Sequence, residues 1–326
     1  MAKRDRSDFA SRGGAFIKTL MVGATGHLGG IICRRLLGRG SEVTALVRPG
    51  AQLARVEALD AAGAKIVRGD LKDHRSLAAA CVGQQAVVST ATSVGSSVPG
   101  DTIESVDREG HLKLIAAAEA AGVRHFVFVS FSSNVEPAHP SPLTAAKRVV
   151  ETRLRDCGLA YTVLRSSILM DVWLVPARGF DHAQGTVTIY GPGVAPLSWI
   201  DSGDVAEFAV KCLEHEGANR ALVDLGGPEA LSHLEVVGIF EALSGRRFTL
   251  THVPIAPFEE QRRSAADPLQ RSMAGLILQM AAGDVIDMSD TSRRFGVRLT
   301  SVRDYAQRVP GAGNAGPVSS AAHETS

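Results

Sequence analysis

MVGATGHLGG, residues 21–30, places Gly23, Gly26 and Gly29 between an apolar strand-like segment (17–22) and a helix-like one. In a strand–turn–helix unit each of these glycines has a distinct physical use. Gly23 permits the sharp turn, Gly26 lets backbone N–H groups approach a pyrophosphate, and Gly29 lets the helix pack close to the sheet. The helix then points its positive end at the phosphates. Glycine-rich turns are common, and this chain has 33 glycines, so the spacing alone also fits an ordinary turn. Its surroundings favour the nucleotide cradle. Leu28, Ile32 and Leu36 recur at helical spacing, Gly38 and Gly40 close the helix, and EVTALV (42–47) supplies a second strand, completing a βαβ unit.

Working outward, the alternation continues. Helices are expected near 52–62, 75–81, 103–121 and 143–156, with strands at 65–68, 86–90, 124–130 (RHFVFVS) and 160–165 (AYTVLR). Near-continuous Val, Ile, Leu and Phe runs in those strands predict an α/β fold, a doubly wound parallel sheet covered on both faces. Ligands of such sheets sit outside the carboxyl ends of the strands, so the loops after Val22, Val47, Arg68, Thr90, Ser130 and Arg165 should converge. Beyond Ser166 the rhythm loosens into short strands at 186–190, 197–200, 221–224 and 247–253 and helices near 202–213, 231–243 and 268–282, with 287–305 packing back on the body. This predicts a flexible leader (1–15), a nucleotide-binding domain (16–165), a smaller C-terminal lobe (166–309) and a disordered tail (310–326) rich in Gly, Ala, Ser and Pro.

Composition narrows the function. The chain of 326 residues is 45% hydrophobic and can bury a large core. With 35 basic against 34 acidic residues it has no electrostatic footprint for nucleic acid or an anionic membrane, and no apolar run is long enough to span a bilayer. Cys33, Cys81, Cys157 and Cys212 are scattered, without a CxxC pair, as expected of reduced core thiols in a cytoplasmic protein. No HxxxH, HExxH or Cys/His cluster predicts a metal site, and no GxSxG predicts a hydrolase.

GATGHLGG (23–30), VR (47–48), GDL (69–71), AAGVRHFVFVS (120–130), KRVVETRLRDCGLAYTVLR (147–165) and WIDSGDVAEFAVKCL (199–213) together resemble the atypical short-chain dehydrogenase/reductases, within them the NmrA-like and isoflavone-reductase-like group. The resemblance implies a Rossmann-type nicotinamide-coenzyme domain with a C-terminal substrate lobe. It places Gly23, Thr25, Gly26, His27, Leu28, Gly29 and Thr90 around the coenzyme, with Asp70 at adenine and Leu71 flanking the ring. Asp70 also fits a helix N-cap. After the second strand, where an acid would select NAD(H), stands Arg48, so NADP(H) is favoured over NAD(H). The same arginine would otherwise be a solvated loop residue.

The chain departs from the wider family at its catalytic pair, because the residue four positions before Lys147 is Leu143 where a tyrosine is usual. Lys147 matches the family lysine expected to hold the nicotinamide ribose and assist proton transfer; alternatively, Lys147 and Glu151 form an i,i+4 pair on a solvated helix face. Ser132 stands where a substrate-orienting serine is expected, and His139 is the histidine placed to replace the missing acid. Ser167, Met170 and Trp173, with Val172, Leu174 and Val175, are expected to wall an apolar substrate pocket, or else to belong to the core. Two functions follow: an NADPH-dependent reductase delivering hydride to a small apolar carbonyl, enone or quinone-like substrate, or a catalytically silent dinucleotide-binding sensor or assembly protein.

Overall fold

The continuous apolar runs form the centre of a sheet in a computed structural model that describes residues 17–134 and 140–309. Strand β1 (Thr19–Val22) is buried along its whole length. It lies parallel between β2 (Val43–Val47) and β4 (Ala86–Ser89), with Val22 opposite Leu46 on one side and Ser89 on the other. Strand β3 (Lys65–Arg68) pairs in parallel outside β2, and β5 (His125–Phe131) in parallel with β4. With β6 (Ala160–Ser166) and β9 (Ala221–Leu225) the order is β3-β2-β1-β4-β5-β6-β9. Strand order therefore reverses between β1 and β4, the switch point at which such sheets bind ligands. A separate three-stranded sheet has the order β10-β8-β7, from β7 (Phe180–Asp181), β8 (Thr186–Tyr190) and β10 (Thr249–Val253).

The chain divides into two units that interleave in sequence. The first extends to Phe128 and takes in Thr152–Thr162 and Cys212–Arg220; the second comprises Val129–Glu151, Val163–Lys211 and the described chain from Ala221. The first unit holds α1 (His27–Gly38), α2 (Leu53–Ala61), α3 (His74–Cys81) and α4 (Glu109–Ala120). The helix expected over 103–121 is not uniform. Residues Ile103–Arg108 form a π-helical segment, started by a reciprocal capping box between Thr102 and Ser105, before regular α4 begins. Helix α5 (Pro142–Asp156) follows β5.

The second unit has its own core, in which Trp199 and Phe240 are fully buried and Phe180 packs edge-on against Phe240 at 4.8 Å. Trp199 satisfies its indole N–H on the Leu231 carbonyl at 2.8 Å. The strand expected over 197–200 does not form. Leu197 and Ile200 make only isolated bridges, to Leu231, Asp284 and Leu169, because this stretch threads the core rather than a ladder. The segment expected to pack back contains helices Ser289–Phe295 and Val302–Arg308.

All four cysteines are buried free thiols, and burial pushes Cys33 up to about 12 and Cys81 up to about 11, so both stay protonated and unreactive. Burial acts oppositely on two histidines. His125, bonded to the Thr162 hydroxyl at 2.8 Å, and His233, edge-on to Trp199 at 4.8 Å, are pushed down to about 4 from the usual 6.5. In the unfolded chain each binds a proton near pH 6.5 that the folded chain refuses, so their contribution is full above that pH and drains away as pH falls toward 4. At most this is about 3 kcal/mol per histidine. Urea midpoints should fall steadily from pH 7 to pH 4.5, and His125→Gln should flatten the curve; a flat parent profile would refute the assignment.

Candidate functional site

Leaving β1, the chain turns at Gly23, whose φ of +90° suits glycine, and the Gly26 N–H bonds back to the Gly23 carbonyl at 2.9 Å. Helix α1 is seated so close that a Cβ on Gly29 would lie 2.1 Å from the Gly23 carbonyl oxygen. Gly26 differs from both. Its φ is −76°, and an added Cβ would meet only the Gly23 oxygen, at 3.1 Å. Gly26 caps α1 in an extended conformation without a side-chain cap, and the first turn carries no acidic residue. The helix start thus offers donors and a positive dipole end that, among the described residues, neither a side-chain cap nor an acidic residue of the first turn answers.

This turn forms one end of a cleft of about 240 Å³ within the first unit. Of the residues expected at the coenzyme, Gly23, Thr25, Gly26 and Thr90 line it, and across from them stand Arg48, Asp70 and Leu71. His27 lines an adjoining cleft of similar volume together with Thr25 and Gly26. Leu28 and Gly29 are not among the lining residues of either, and Gly29 serves the close packing described above. The α3 N-cap is Asp73, which accepts from the Arg75 N–H, so Asp70 is not that cap; its carboxylate accepts from the Lys72 N–H at 2.8 Å.

One wall is the loop after β4. Ser93 pins it by donating both its backbone N–H (2.9 Å) and its hydroxyl (2.6 Å) to buried Asp107 of the π-helical segment. Farther along, the Asp101 side chain is only 3% exposed and pairs with Arg48 and Lys72, and accepts from the Ser96 hydroxyl at 2.6 Å. Arg48 also donates to Ser96 at 2.8 Å, so it is no merely solvated loop arginine. Burial alone would raise the Asp101 carboxyl, but the Lys72 and Ser96 hydrogen bonds and the two cations hold it below its usual value. Lys72 is correspondingly raised, chiefly by its bond to Asp101.

In the second unit, the end of β5 and helix α5 carry the expected catalytic lysine. Lys147 is 6% exposed, donates to the Val129 carbonyl at 3.1 Å and sits 5.8 Å from the Phe131 ring centre. The solvated Lys147–Glu151 pair is overturned, because both residues are buried and Glu151 is engaged elsewhere. Its Oε1 accepts from Ser130 at 2.6 Å and from Arg148 at 2.5 Å, and its Oε2 from Arg165 at 2.5 Å. Arg148 in addition donates to the Phe131 and Ser132 carbonyls, fastening the end of β5. Ser132 is fully buried and gives its hydroxyl to Asp284 at 2.8 Å. Leu143 is 1% exposed, so this position holds an apolar packing residue.

Met170 lies fully buried in the core of the second unit, where Trp173 packs against it and stacks under the Arg178 guanidinium at 5.1 Å. Ser167 is buried, its N–H bonded to the Leu225 carbonyl and its hydroxyl without a hydrogen-bond partner among the described residues. His139 lies outside the described residues. Among the described residues no group of His, Cys, Asp or Glu is placed to hold a metal ion, and no helix is long and apolar enough to cross a membrane.

Sequence reading missed Arg55, which borders both clefts and donates to the Thr25 carbonyl at 2.8 Å. Its exposed position within a short amphipathic helix carries no local mark of function. Ser96, Asp101 and Lys72 were missed because only the folded loop after β4 brings them to Arg48.

The model of the NmrA-like family matches residues 17–291. The photosystem II assembly factor Ycf39 of Trieres chinensis is 33% identical over 72% of this chain and 72% of its own length. An NAD(P)H azoreductase of Xenophilus azovorans is 31% identical over 70% of this chain and 74% of its own. Among solved structures, an NADPH-dependent quinone oxidoreductase of Escherichia coli superposes with a TM-score of 0.68 at 23% identity, covering 89% of this chain and 98% of that one.

Proposed function

The chain belongs to the NmrA-like family, and from that premise and the geometry of the cleft we propose that it is an NADPH-dependent reductase acting on a small apolar carbonyl, enone or quinone-like acceptor. The observation that carries this reading is the uncapped start of α1 behind a glycine turn, facing a cleft that also holds Arg48. A diphosphate approaching the backbone at this turn supports the reading, since Gly26 is the least crowded of its three glycines and carries no side chain there. A 31% identical relative named as an NAD(P)H azoreductase supports a reductase of this general kind.

In this reading the coenzyme, when bound, supplies the hydride. The first turn of α1 holds the diphosphate, Arg48 takes the 2′-phosphate, and Leu71, with Asp70, borders the adenine. Lys147, a buried cation, holds the ribose next to the nicotinamide and places positive charge where the acceptor develops negative charge. Ser132 contributes through its hold on the end of β5, Ser167 supplies a buried hydroxyl to the substrate side, and His139 is the assigned proton donor. Reduced, buried cysteines support a cytoplasmic location.

A second reading rests on Leu143, which supplies no proton at the position where the wider family carries tyrosine, and on the likeness to photosystem II assembly factors. In it the coenzyme cleft persists as a sensor and turnover is absent. Oxidation of NADPH followed at 340 nm against quinones, enones, aldehydes and azo dyes separates the two. We expect turnover with at least one class, reduced at least about 100-fold in Lys147→Ala. Tight NADPH binding with no oxidation across the panel would establish the sensor instead.

A further inference from the structure

An arginine after β2 recruits a 2′-phosphate by presenting positive charge and N–H donors. Here the Arg48 Nη1 is already committed to the Ser96 hydroxyl at 2.8 Å and to the Asp101 carboxylate. That carboxylate is 3% exposed and is held in place by a second cation, Lys72, and by Ser96 at 2.6 Å. Around Arg48 the carboxylates of Asp70 and Asp101 offset the charges of Arg48 and Lys72, and Arg55 on the same cleft adds one positive charge beyond that group.

We propose that Asp101 sets the coenzyme selectivity of this site, acting as a built-in counter-anion that weakens the pull of Arg48 on a 2′-phosphate and keeps the preference for NADPH over NADH small. The inference rests on the reading of the cleft as a nicotinamide-dinucleotide site. Its physical basis is that two anions sharing one guanidinium repel each other. The phosphomonoester carries nearly two charges at neutral pH, whereas the unmodified ribose of NADH carries none there, so only NADPH feels the penalty. The carboxylate cannot swing away to relieve it, because three donors hold it. Asp101 also orients the guanidinium, an effect that would act in the opposite direction, and the two are separable by experiment.

Isothermal titration of NADPH and of NADH into the purified full chain tests this. Asp101→Asn is expected to raise the ratio of the NADH Kd to the NADPH Kd about tenfold, nearly all of it through tighter NADPH binding, and the gain should shrink in 1 M salt. In an Arg48→Ala background the same substitution should raise the ratio clearly less, because the competition for the guanidinium is gone and only direct repulsion between the two anions remains. Arg48 and Lys72 are 37% and 30% exposed, so each can be solvated when the carboxylate is removed, and the fold should survive. Asp101→Ser, uncharged but still able to accept a hydrogen bond, is the second variant and should act in the same direction. A ratio that stays constant or falls in both variants, or that rises equally without Arg48, overturns the proposal. Failure of the parent chain to bind either coenzyme is a different result, and it overturns the reading of the cleft itself.

Discussion

Replacing Glu151 with alanine is expected to lower the melting temperature by about 6 °C, the largest stability loss of any single change considered. Glu151 is 1% exposed and stands between Arg148 and Arg165, whose side chains are each only 16% exposed. Removing one member of a buried ion group leaves its partners in low dielectric without the compensating charge, which costs about 3–5 kcal/mol. At this chain length of 326 residues each kcal/mol corresponds to roughly 1.5 °C. Glu151→Gln, which keeps an acceptor for Ser130, should lose less. Burial alone would raise the Glu151 carboxyl, but the Arg165 and Ser130 hydrogen bonds and both arginine charges outweigh it and hold it below 4.5. The contribution is therefore complete above pH 4.5 and disappears as pH falls through the lower folded value. Calorimetry at pH 7 decides the matter, and a drop below about 2 °C would mean that both guanidinium groups find water with little rearrangement.

The second large effect is on binding. Gly26→Trp should weaken NADPH binding by about 100-fold or more, since two charge-assisted N–H bonds to the diphosphate are worth roughly 3 kcal/mol. Its melting temperature should fall less than that of Gly29→Ala, because Gly26 has an ordinary φ of −76° and its missing Cβ faces only one atom, at 3.1 Å. Gly29→Ala is the control with the opposite signature. Its Cβ would fall 2.1 Å from the Gly23 oxygen, so α1 must move off the sheet and stability should drop by about 1–3 kcal/mol. If Gly26→Trp binds NADPH like the parent, the glycine turn does not hold the diphosphate. If the two variants prove equally unstable, the distinction between ligand approach and helix packing fails.

These two glycines illustrate what was legible. A turn needing positive φ, a helix start needing no side chain, and a helix needing close approach are local backbone demands, and glycine spacing writes them directly into the chain. Strand composition was equally plain, because strands covered on both faces must be apolar throughout. Lys147 and Glu151 were harder. Spacing places them on neighbouring turns, but a solvated pair and two buried groups with separate partners have the same spacing. Only the arrival of Arg165 from β6 and Ser130 from β5 decides between them. Likewise, residues after β6 read as a pocket wall or as core, and for Met170 only the fold shows a place in one buried cluster with Phe180, Phe240 and Trp199.

Taken alone, the order of residues determined the βαβ rhythm, the placement of the glycine turn and the cation after β2, since each depends on neighbours within about one helix or strand length. It also determined the family, through motifs spread along residues 17–291. The tertiary structure alone decided the electrostatic setting of those groups. Asp101 reaches Arg48 because a loop anchored by Ser93 on Asp107 folds over the cleft, and Glu151 finds its distant partners because Arg165 of β6 and Ser130 of β5 meet on it beside Arg148 of its own helix. Charge and burial depend on distances between segments remote in sequence, and those distances exist only once the sheet has assembled.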